Sequence, residues 1–154
     1  MTDASAATLR LLARADLLLL LSRWLGREPD DLPLDRAATA DDLVELAEHC
    51  ALAGVPELGR ALATLDAARR ATPTATWQAE HSRLFEGGCL CPVNETAYVR
   101  RDKGAILADL AGFYRAFGFA PAENAGEKPD HIVSELQFTA LLLVMLARAR
   151  DAAD

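Results

Sequence analysis

Ser5–Leu25, SAATLRLLARADLLLLLSRWL, is the stretch from which the fold is read. Leu9, Leu12, Asp16, Leu19 and Arg23 stand in a dense field of Leu and Ala, and Gly26 is placed to stop the run as a helix C-terminus. Around its middle the segment is apolar on nearly every side. A helix of that kind belongs at the centre of a bundle, covered by neighbours on more than one face. Leu17–Leu21 is therefore assigned to the core. Together with Ala140–Ala147 it is the longest uninterrupted apolar run, well short of the roughly 18 residues that a membrane span needs, so no span is expected.

The whole chain repeats that bias. Of 154 residues, 31 are Ala and 26 are Leu, against 6 Val and 2 Ile, a composition that favours helix over strand throughout. The expected fold is all-α, a single bundle of about six helices over residues 1–154, long enough to bury a proper core. Sixteen basic and 23 acidic residues give a net charge of −7, the wrong sign for a nucleic-acid partner and the right sign for a cationic one. The N-terminus, Met1-Thr2-Asp3-Ala4, is acidic where a secretory signal is basic, which points to a cytoplasmic address. Cys50, Cys89 and Cys91 are too few and too oddly numbered for a disulfide framework.

Further helices follow by spacing and punctuation. Glu28–Ala38, with Pro29 and Pro33, reads as a loop. Thr39 then caps a second helix that runs to about Ala53-Gly54. Pro56 suits the first turn of a third helix ending near Ala71, and Trp77, His81, Leu84 and Phe85 mark a short fourth one toward Gly87-Gly88. Ile106, Leu110, Phe113, Tyr114 and Phe117 place a fifth over Lys103–Phe117. Phe119–Pro129 is a long Pro/Gly/Glu loop, a candidate hinge, after which Asp130 stands as the cap of a last helix.

Two segments stand out chemically. Lys128-Pro129-Asp130-His131-Ile132-Val133-Ser134-Glu135-Leu136-Gln137-Phe138 ends a loop and opens a helix with His131 and Glu135 four apart on one face. Upstream, Leu84-Phe85-Glu86-Gly87 precedes Pro92-Val93-Asn94-Glu95-Thr96-Ala97-Tyr98. In order and spacing these resemble the Leu-Phe and Gly segment, the Pro-x-x-Glu-x-x-Tyr element and the Pro-Asp-His-Ile-x-x-Glu-Leu-x-Phe helix start of the TorD/DmsD/NarJ family of redox-enzyme maturation chaperones. The resemblance runs from about Trp77 to Arg148. It implies a cytosolic chaperone, with no turnover, that holds the twin-arginine leader or the apo form of a molybdenum-cofactor oxidoreductase; no cofactor is assigned to it. Under it, Glu95, Asp130 and Glu135 would pair with arginine, Tyr98, Phe113 and Phe138 would line an apolar groove, and His131 would be a further peptide-binding residue. Family members usually continue with further helices, whereas this chain stops at Asp154. Its last helix is apolar over more than one face, so a homodimer in which terminal helices cover each other is expected.

Plainer roles stay open for the same residues. Asp130 reads equally as a simple helix cap, His131 with Glu135 as a surface pair or His131 as a buried imidazole, and Glu95 with Tyr98 as a loop pin. Phe113, Tyr114 and Phe117 have the spacing of a core stripe. A different class of function, a small metal- or thiol-dependent redox protein, would use Cys89, Cys91 and His81, although structural zinc sites show two ligand pairs at short spacing.

Overall fold

The computed structural model describes residues 3–26, 40–50, 57–86, 90–100, 102–120 and 128–152. Among them are six α-helices: α1 (Asp3–Leu25), α2 (Ala40–Cys50), α3 (Leu58–Ala71), α4 (Thr74–His81), α5 (Lys103–Ala116) and α6 (Ile132–Asp151). A π-turn, Ser82–Glu86, continues α4, and Glu95–Ala97 forms a 3-10 turn. No strand occurs among the described residues, where a single antiparallel bridge joins Asn94 to His131. The all-helical expectation therefore holds. The Glu28–Ala38 loop, the Thr39 cap, the Ala53-Gly54 helix end, Pro56, Gly87-Gly88, Cys89 and the middle of the Phe119–Pro129 hinge lie outside the described residues.

α1 is central because it has two faces to bury. Thr8, Leu11, Ala15 and Ser22 recur at helical spacing and are buried. The Thr8 hydroxyl donates to Asp151 Oδ1 at 3.0 Å, so the start of α1 lies beside the end of α6 and the two helices run antiparallel. Ala15, Ala140 and Ala147 are almost fully buried, small side chains that let the two helices approach closely. The other face of α1 carries Ala13 and Leu17, which form one core cluster with Leu43 and Cys50 of α2 and Leu62 of α3. Arg14 Nε adds a 2.9 Å hydrogen bond to the Cys50 carbonyl at the end of α2. Gly59 sits at the crossing of α2 and α3, where a Cβ would stand 2.9 Å from Val44 Cα, so a side chain there would force the helices apart.

Two helix ends differ from the sequence expectation. Regular α-helix stops at His81 and widens into the π-turn, while the His81 Nε2–H donates to the Leu25 carbonyl at 3.1 Å and ties this segment to the end of α1. At the head of α6 the cap is His131, whose Nδ1 accepts the Val133 N–H at 3.2 Å, and not Asp130. The carboxylate of Asp130 is engaged elsewhere, as described below.

α6 bears on the expectation drawn from uninterrupted runs. Its 20 residues are long and apolar enough to cross a bilayer by length and composition alone. It packs along α1, with Val133, Ser134, Phe138, Ala140 and Ala147 buried in the protein. Leu9 and Leu12 of α1 and Met145 and Leu146 of α6 remain in solvent.

Candidate functional site

The two segments singled out by sequence fold into one junction. The connector ahead of α5 lies across the start of α6, fastened by two backbone hydrogen bonds, from Glu95 N–H to the Asp130 carbonyl at 3.0 Å and from Ile132 N–H to the Val93 carbonyl at 2.9 Å. Asp130 is wholly buried, at 0% exposure. Its Oδ2 accepts the Thr96 N–H at 2.9 Å and the Thr96 hydroxyl at 2.5 Å, and its Oδ1 accepts Asn94 Nδ2 at 3.1 Å. Burial alone would raise this carboxyl. The donors from the Thr96 side chain, the Thr96 backbone, Asn94 and its own backbone outweigh it and hold the group below the ordinary carboxylate value. Asp130 thus clamps the connector to α6, and in this conformation its oxygens face protein donors.

Glu135, one turn into α6, has the opposite environment. Its Oε1 is buried, and among the described residues no hydrogen bond reaches it. Desolvation raises its carboxyl, and the negative charges of Glu95 and Asp130 raise it further. Among the described residues no cation pairs with Glu95, Asp130 or Glu135. Glu95 itself is exposed on the 3-10 turn. The junction is therefore a patch of like charge held together by the fold.

Aromatic rings back this patch. Phe138, 6% exposed, is surrounded by Phe113, Tyr114, Phe117 and Phe119, with ring centroids at 5.5, 4.6, 5.7 and 5.5 Å. Tyr114 is buried and donates its hydroxyl to the Pro129 carbonyl at 2.9 Å. Burial, reinforced by the charges of Glu135, Asp130 and Glu95, pushes its phenol up to about 12. Gly118, at φ 70°, makes the left-handed turn that brings Phe119 back onto Tyr114. The stripe on α5 divides: Tyr114 is core, while Phe113 is 52% exposed and Phe117 is also open to solvent.

Of the sequence candidates, Glu95, Asp130, His131, Glu135 and Phe138 come together here, Phe138 as the buried floor and Asp130 as the clamp. Tyr98 is 70% exposed and pins the connector onto itself, its hydroxyl donating to the Pro92 carbonyl at 2.8 Å. Thr96 and Asn94, the partners of Asp130, were missed. Their signal is weak in sequence, since nothing local says which polar side chain of the connector turns inward.

Among the described residues, the cysteine-based alternative gathers no such set. Cys50 is buried and its thiol is pushed up by desolvation, Arg14 and Asp16 acting in opposite senses on it. Cys91 is an exposed thiol whose N–H is held by the Leu84 carbonyl. Among the described residues no three His, Cys, Asp or Glu side chains form a metal-holding group, and Cys89 lies outside them.

The chain is thus all-helical, with a connector clamped onto its last helix, acidic on top and aromatic beneath. The family model for the nitrate reductase delta subunit matches residues 34–154, and the chain belongs to that family, one of redox-enzyme maturation chaperones. No curated protein and no solved structure matches it.

Proposed function

We propose that the protein is a cytoplasmic, non-enzymatic chaperone, acting as one helical domain, that binds the twin-arginine leader of a molybdoenzyme catalytic subunit at the junction of the connector with α6. One observation carries the reading: a buried carboxylate oxygen of Glu135 that no donor among the described residues reaches, beside Glu95, on a chain of net charge −7. A guanidinium supplies both the missing donors and the missing positive charge, and two neighbouring arginines match two carboxylates. The exposed edges of Phe113 and Phe117 offer adjacent apolar surface for the segment that follows the arginines in a leader.

Calorimetry with a leader peptide tests this. Binding is expected to weaken as salt rises, and Glu135→Gln is expected to lower affinity roughly tenfold, the order of one charge-assisted hydrogen bond. The same substitution is expected to raise the unfolding midpoint at pH 7. A carboxyl raised by folding disfavours the native state once ionised, and that penalty disappears as pH falls through its raised value toward the ordinary one. Leader affinity unchanged in Glu135→Gln, or no heat with any leader, removes the reading.

The reading extends to self-association. Leu9, Leu12, Met145 and Leu146 form the apolar surface of α1 and α6 that the described helices leave in water, and a second copy of the chain would cover it. Light scattering over a dilution series is expected to show a mass of two chains at high concentration. A constant monomer mass would dismiss the dimer without touching the leader site.

A further inference from the structure

Glu95 and Glu135 are borne by segments remote in sequence, and their like charges push them apart. In the chain α5 lies between the two segments; in space the connector is held to the start of α6 by the Asp130 clamp and the flanking backbone bonds. Two of the bonds to the Asp130 carboxylate come from one residue, Thr96, itself buried. Its hydroxyl bond, at 2.5 Å to an ionised acceptor, is of the short and strong kind. We infer that Thr96 is a positioning residue of the proposed leader site: by donating its N–H and hydroxyl to Asp130 it fixes the turn that bears Glu95 against the helix that bears Glu135. Thr96 touches no ligand in this scheme. It acts through Asp130, keeping two carboxylates assembled before any cation arrives, so that the leader need not spend binding energy on bringing them together.

The ligand in this inference rests on the leader reading, but the assembly of the carboxylates does not, and the experiment separates them. Thr96→Val keeps the shape and the N–H and removes only the hydroxyl; Thr96→Ser restores it; Asn94→Ala removes the weaker Oδ1 contact and serves if Thr96→Val folds poorly by circular dichroism. In an NMR titration of the free protein, the raised Glu135 carboxyl is expected to move back toward its ordinary value in Thr96→Val and Asn94→Ala, and to stay raised in Thr96→Ser. With a leader peptide, Thr96→Val is expected to bind roughly tenfold more weakly, and Thr96→Ser like the unmodified chain. In a Glu95→Gln background the Thr96→Val penalty should largely vanish, because the residue being positioned has lost its charge. An unchanged Glu135 titration in Thr96→Val, or a full Thr96→Val penalty persisting in Glu95→Gln, overturns the inference. A chain that takes no leader, yet shows the Glu135 shift, overturns the leader reading while supporting the assembly of the carboxylates by Thr96.

Discussion

Asp130→Ala is expected to destabilise the protein by about 3 kcal/mol at pH 7, well above the ~1 kcal/mol that losing a helix cap costs. The substitution strips the acceptor from the Thr96 N–H, the Thr96 hydroxyl and the Asn94 amide, inside a site where Thr96 has almost no access to water. Unsatisfied buried donors, and not the loss of one favourable contact, dominate that figure. The pH dependence has a definite sign. Folding lowers the Asp130 carboxyl, so its contribution is fully present above the ordinary carboxylate value near 4 and is lost as pH falls through the lower, folded value. Urea unfolding of both proteins should therefore show a gap that is constant from pH 7 down to about 5 and narrows in stronger acid. A loss near 1 kcal/mol that ignores pH would mean that the clamp carries no weight in stability.

Phe138→Ala is expected to cost about 3–5 kcal/mol, the range for emptying a large aromatic site in a packed core. Four rings lean on Phe138, and two of them, Tyr114 and Phe119, also pack on each other. The cavity would loosen α5 together with the Tyr114 bond to Pro129, so near-UV circular dichroism should fade along with the denaturant midpoint. Phe113→Ala is the control. Half of that ring is already in water, so its loss should cost no more than about 1–2 kcal/mol. If Phe138→Ala proved as mild as Phe113→Ala, the aromatic cluster would be a loose surface and not a floor.

The helical plan was legible because it rests on local quantities. Ala and Leu content fixes the class of element, and an apolar circumference on Ser5–Leu25 puts that helix between α6 and the α2–α3 pair. The two motif segments were also legible as a pair, and the structure unites them at the bridge between Asn94 and His131. Asp130 was misread for a physical reason. A cap is a bond to the next few residues, so an Asp ahead of an apolar helix looks like one; its actual donors lie upstream on the connector and become neighbours only in the tertiary fold. With the Asp130 side chain turned away, the cap falls to the next residue, His131. The π-turn was hidden because Trp77, His81, Leu84 and Phe85 fit an ordinary helical repeat; the tie between His81 and Leu25 is again non-local. α6 escaped a search for unbroken apolar runs since Ser134, Glu135, Gln137 and Thr139 interrupt it, while its average remains that of a very apolar helix.

The pairing of α1 with α6 bears on how the chain reaches this state. Thr8 meets Asp151 across 143 positions of sequence, so α1 must wait for α6 to be made before one of its two faces is covered. Contacts of such separation form late, because the loop between them must be closed before they contribute, and they slow folding. During synthesis the exposed flank of α1 is a stretch of leucine in search of a companion, and the nascent protein passes through the same vulnerable condition, unfinished and adhesive, from which its family shields other polypeptides.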